Sequence, residues 1–173
     1  PSELKDYIDE PHKSRISFED TVVSGVPKDG WDRTQGGKID MQKSTELAST
    51  AEKLNDSICG DFNIDYPLLN SFARVTMFPE PDFATELARG FNDYLLDRFL
   101  DEYDHFYGLA TVATQEPDKA AEEIDRMGSE DQMVGVYIHS TGPNPPLGDP
   151  YYDPIYRAAE DNDLPIAYHG SAN

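Results

Sequence analysis

The chain has 173 residues, enough for one domain with a real hydrophobic core. Its 14 Lys and Arg stand against 34 Asp and Glu, a formal charge of −20, which argues against a nucleic-acid binder because a polyanion needs a positive footprint, and against docking on anionic membranes. No apolar stretch approaches the roughly 20 residues of a spanning helix, and Cys59 stands alone, so no intrachain disulfide forms within these residues; the expectation is a protein without a signal peptide, in the cytoplasm.

Taken in chain order, residues 1–45 are polar and punctuated by Pro11, Pro27, Gly25, Gly30, Gly36 and Gly37. They read as an irregular extension or a loop over the mouth of the domain, with a helical turn near Ser2–Tyr7. Ser44 is placed to cap a helix over Thr45–Asn55, where Leu47, Ala51 and Leu54 share a face. Phe62–Leu69 reads as a strand, followed by the long connection Asn70–Pro81. Asp82 is the expected cap of a helix over Phe83–Leu100, with an apolar face of Phe83, Leu87, Phe91, Tyr94 and Leu95.

Phe106–Ala113 is the next strand. Pro117 takes a favoured first helical position; Ala120, Ile124 and Met127 make one face and Gly128 ends the helix. Met133–Ile138 is a strand, Ser140–Pro150 a loop rich in Gly and Pro, Asp153–Asn162 a helix, and Leu164–His169 the last strand. From Phe62 onward the order is strict β-α alternation with short connections, the signature of a parallel α/β sheet with crossover helices.

The acids are spread along the chain, and Asp outnumbers Glu although Glu is the better helix former. This reads as salt adaptation, since a high-salt cytoplasm would screen the self-repulsion. An ordinary acidic enzyme is the plainer alternative.

The candidate chemistry sits at strand ends. His169 closes an apolar run and is followed by Gly170. In parallel α/β folds the C-terminal ends of strands face the site, where a neutral imidazole is a natural ligand for zinc or another divalent metal. The bland alternative is a hydrogen-bonded histidine at the edge of the core. His139 ends the preceding strand and would share that rim, as a substrate contact, a partner of the metal ligand, or a loop histidine bonded to a carbonyl. Long βα connections shape pockets, which makes Asn144 in the Ser140–Pro150 loop and Arg74 in Asn70–Pro81 substrate-binding candidates. Arg74 would pair with a substrate carboxylate or, in the plainer view, with a local acid. His12 and His105 lie in polar, charged stretches and read as solvated surface, and Cys59 as structural. No GxGxxG, P-loop or GxSxG motif is present.

Several stretches together resemble the amidohydrolase-related family, the branch of the amidohydrolase superfamily that includes aminocarboxymuconate-semialdehyde decarboxylase. They are Tyr7-Ile8-Asp9-Glu10-Pro11, Ala88-Arg89-Gly90-Phe91-Asn92-Asp93-Tyr94-Leu95, Tyr107–Val112 with Glu116–Ala120, and the run from Pro146 through Tyr156 continuing to Asp163–His169. The resemblance implies a TIM (β/α)₈ barrel holding one divalent metal, usually zinc, with His169 as the ligand on the fifth strand. It implies a hydrolase or decarboxylase acting on a small carboxylated or cyclic molecule.

The family's His-x-His pair, its later catalytic histidine and its metal-binding aspartate have no counterpart here. A complete barrel needs roughly 250 residues, and a catalytic metal about three protein ligands. Residues 1–173 are therefore expected to be about half of a barrel, inactive alone, part of a longer enzyme, with open sheet edges that favour a homo-oligomer. The alternative is a non-catalytic partial homologue serving as a binding or assembly module.

Overall fold

Four apolar runs build one parallel sheet in the order β1-β2-β3-β4: β1 (Leu68–Leu69), β2 (Tyr107–Thr111), β3 (Met133–His139) and β4 (Ile166–His169). The computed structural model describes residues 2–16, 50–71, 74–140 and 142–170. The helices that carry the chain back between strands are α2 (Pro81–Leu95), α3 (Pro117–Met127) and α4 (Asp153–Asp161). A short helix α1 (Ala51–Leu54) precedes β1 and runs on as a π-helical stretch, Asn55–Asp61.

Period-two alternation divides the sheet into two faces. Val136 and Ile138 of β3 are buried with Ile124 of α3 and Ile155 and Ala158 of α4. Leu95, Phe99 and Leu100 pack with Phe106, Ala110, Met127 and Met133. Residues in between, including Tyr137 and His139, turn to the other face, the one that lines the interior when such a sheet curls into a barrel. Of the apolar face expected on α2, Phe83, Leu87 and Leu95 are buried while Phe91 and Tyr94 are half-buried; on α3 the expected Ala120, Ile124 and Met127 are all buried.

Residues 2–16 form two 3₁₀ turns, Ser2–Tyr7 and Lys13–Arg15, laid along α2. Leu4, Ile8 and Ile16 are buried there with Phe83, Leu87 and Ala88. The approach is close because residue 90 is glycine: a Cβ at Gly90 would lie 2.5 Å from Ile8 Cγ1 and 2.9 Å from the Tyr7 carbonyl oxygen. Arg15 pairs with Glu80 and stacks 4.7 Å above the Phe83 ring.

Some boundaries differ from the sequence reading. Phe62–Leu69 pairs as a strand only at Leu68–Leu69; Asn63 is left-handed (φ 56°), Pro67 offers no N–H to a ladder, and Phe62 and Tyr66 are exposed. Asp82 is not the cap of α2. Glu80 takes that place with no side-chain bond to the helix backbone, Pro81 opens the helix and Asp82 lies in its first turn. The helix leaves α geometry at Leu96, and Leu96–Leu100 form a π-helical end. α1 is capped by Thr50, which accepts from the Lys53 N–H at 3.3 Å; Ser44 lies outside the described residues. Among the described residues no helix is long and apolar enough to cross a membrane.

Candidate active site

The C-terminal ends of the four strands and the loops that follow them make one rim. On it, His139 and His169 face each other as Cα partners across β3 and β4, the last strand of the sheet. Their rings stack 24° from parallel with centroids 5.7 Å apart, and His139 is 2% exposed. The backbone beside them is tied down. Ser140 donates to the His169 carbonyl from both N–H and Oγ, each at 3.0 Å, and Thr76 Oγ1 donates to the His139 carbonyl at 3.2 Å.

One pleat deeper on the same face lies Tyr137, two residues before His139 and therefore pointing the same way. Its ring centroid is 6.1 Å from that of His169. It is 2% exposed, and its hydroxyl is buried without a hydrogen-bond partner among the described residues. Burial pushes its phenol pKa up, while the charge of Arg74 pulls the other way. Arg74 is half-buried and immediately precedes the 3₁₀ turn Val75–Met77, whose Thr76 holds the His139 carbonyl at this rim. The row continues to β2 and the connection after β1: Thr111 is the Cα partner of Tyr137, and its Oγ1 lies 2.5 Å from Ser71 Oγ.

The loops interlock. Gln115 Nε2 donates to the carbonyls of Val75 and Phe78, each at 2.8 Å. The Tyr151 hydroxyl donates to the Gln115 carbonyl at 2.9 Å, and that of Tyr152 to Pro145 at 2.8 Å. Gly142 crosses Thr76 with φ 107°, so close that a Cβ would sit 2.3 Å from the Thr76 carbonyl oxygen. Asn144 is exposed and lines a cavity of about 170 Å³ with Thr76, Thr114, Gln115 and Tyr151. A larger cavity of about 400 Å³ lies on the helical side of the sheet, between charged side chains of α2 and α3.

The structure thus brings His139, His169 and Arg74 to one rim, with Asn144 in the loop above it. Tyr137 was missed by sequence reasoning, although its place two residues before His139 on a strand was the available signal. Two further readings are corrected. His105 is half-buried rather than solvated: its Nε2 lies 3.0 Å from Asn55 Oδ1 and 3.6 Å from Cys59 Sγ, a partner 46 residues away. His12 is half-buried against the Phe83 ring, 5.7 Å between centroids.

As for a metal, the two imidazoles offer nitrogen donors of the type that zinc and manganese accept. Among the described residues, no group of three or more His, Cys, Asp or Glu is placed to hold an ion. The donors fit a metal site in kind and supply part of a ligand set.

A family model described as amidohydrolase matches residues 66–173, more than half of the chain. The chain belongs to the amidohydrolase family. This member is 31% identical over 157 residues to gamma-resorcylate decarboxylase of Rhodococcus jostii, an alignment covering 83% of the chain and 44% of that protein. It superposes on 2,6-dihydroxybenzoate decarboxylase from Rhizobium with a TM-score of 0.63 at 26% identity, covering 88% of the chain and 46% of that structure. It superposes on 5-carboxyvanillate decarboxylase from Novosphingobium aromaticivorans, determined with bound manganese, with a TM-score of 0.62 at 31% identity, covering 67% and 34%. The amidohydrolase chain spans less than half the length of these relatives, and its fold, with a four-stranded parallel sheet, matches about half of the 2,6-dihydroxybenzoate decarboxylase barrel.

Proposed function

We propose that this chain carries part of the active site of a metal-dependent decarboxylase acting on a small aromatic carboxylic acid. The observation that carries the reading is the stacked pair His139–His169 at the ends of adjacent parallel strands, with Arg74 at the same rim. The activities for which its relatives are named, decarboxylation of gamma-resorcylate and of 5-carboxyvanillate, support a carboxy-lyase over a hydrolase.

His169 is the proposed metal ligand, on β4. A bound divalent ion, zinc or manganese, would supply fixed positive charge against the substrate's oxygens. Arg74 pairs with the carboxylate, since a guanidinium matches its two oxygens. His139 stacks on His169 and fixes its ring plane while its own edge contacts the substrate. The loop bearing Asn144 closes the pocket and excludes water. The reaction breaks the bond between ring carbon and carboxylate and releases carbon dioxide, and the electron pair left on that carbon takes up a proton from water.

The test is His169→Ala in the complete polypeptide that carries this chain, with metal content and carbon dioxide release from 2,6-dihydroxybenzoate as readouts. Loss of both is expected. Stoichiometric metal retained in the variant would refute the assignment of His169. Wild-type protein that binds metal but releases no carbon dioxide from any aromatic acid would refute the decarboxylase reading. The second reading, a non-catalytic binding or assembly module, draws on the incomplete ligand set among the described residues; a complete polypeptide that binds no metal would favour it.

A further inference from the structure

We infer that Tyr137 is a substrate-binding residue: its buried hydroxyl is the donor that, with Arg74, receives the carboxylate of the bound acid. The inference rests on the decarboxylase reading and names a residue for its substrate's charged end.

Buried hydroxyls are rarely left without a partner, because desolvating one without a hydrogen bond is costly. Tyr137 is 2% exposed, yet its hydroxyl has no partner among the described residues. Its neighbours in the row explain why the protein does not satisfy it. On the β2 side Thr111 is already engaged: Oγ1 is 2.5 Å from Ser71 Oγ, and its N–H and carbonyl are both bonded to Asn92. On the β4 side the Cα partner of Tyr137 is Ala167, whose methyl offers no polar atom. The ring of His169 lies alongside at 6.1 Å between centroids, with no hydrogen bond from the phenol to it.

What remains is an O–H held on the interior face beside the proposed metal ligand, in the field of a guanidinium. A donor in a positive field suits an anion, and bonds to ionised acceptors are about twice as strong as neutral ones. A carboxylate has two oxygens, so one can meet Arg74 and the other Tyr137.

The test compares wild type and Tyr137→Phe in the complete metal-loaded polypeptide. Binding of 2,6-dihydroxybenzoate and of resorcinol, the same ring without the carboxylate, is measured by titration calorimetry. The expected result is a dissociation constant for the acid raised roughly tenfold, with resorcinol unchanged and the melting temperature not lowered. The tyrosine difference spectrum induced by the acid should vanish in the variant. An unchanged constant for the acid would overturn the inference, as would equal weakening of both ligands, which would mean that the hydroxyl meets the ring or only its packing. Wild-type protein that binds neither ligand would remove the decarboxylase reading and this inference with it.

Discussion

Asn92 of α2 holds both backbone groups of Thr111, accepting from its N–H at 2.8 Å and donating to its carbonyl at 2.9 Å. The amide stands in for a strand. β1 pairs with β2 only as far as Gly108, so the β1-side edge of Thr111 would otherwise be bare inside the protein. The same Nδ2 also donates to Glu123 Oε1 at 2.7 Å, and Arg126 bridges Glu123 to Asp93. These bonds raise the pKa of the Arg126 guanidinium, the one to Glu123 most of all.

Replacing Asn92 by Ala should therefore destabilise the fold by roughly 3 kcal/mol, because a buried N–H and a buried C=O each lose their partner. Urea denaturation checks this. A loss below about 1 kcal/mol would show that the amide is incidental.

Tyr137→Phe should have the opposite sign. It removes a buried hydroxyl with no partner and keeps the ring, so the ligand-free protein should gain about 1 kcal/mol. A raised melting temperature together with weaker acid binding is the combination expected where stability is given up for function.

Gly142→Ala should loosen the rim. The left-handed φ of 107° disfavours any side chain, and the new Cβ would collide with the Thr76 carbonyl. The expected outcome is faster amide hydrogen exchange in residues 74–78 and 140–150, with β2 and β3 unaffected. Uniform exchange throughout the protein would contradict it.

Tyr7 gives an alkaline signature. Burial, then its hydrogen bond to the Asp97 carboxylate, push its phenol up to about 12 from 10.0. Between about pH 10 and 12 the unfolded chain releases this proton while the folded protein keeps it, so the unfolded state binds fewer protons and stability falls as pH rises. Tyr7→Phe should flatten this decline in melting temperature. Parallel profiles for the two proteins would refute the contribution.

The charge of −20 predicts a response to salt. Molar KCl screens the repulsion among carboxylates, so the melting temperature should rise. A fall would sink the reading of salt adaptation.

The order of elements was legible because each crossover helix announces itself twice. α3 opens at Pro117, closes at Gly128 and carries Ala120, Ile124 and Met127 on one face. The two rim histidines were legible for the same reason, as each ends an apolar run. What escaped were the long-range polar pairings. Nothing near Cys59 in sequence points to His105, and nothing in α2 marks Asn92 as the stand-in for a strand, because such bonds depend on where β1 stops. Phe62–Leu69 alternates like a strand, but Asn63 and Pro67 overrule the pattern locally.

The lacing of the rim has a further consequence. Gln115 holds the connection after β1, Tyr151 holds Gln115, and Gly142 lies on Thr76, so the three connections behave as one mechanical part. An insertion in any one of them would displace the other two. A new specificity at this rim would have to arise by exchanging side chains within fixed loop lengths, or by replacing all three connections together.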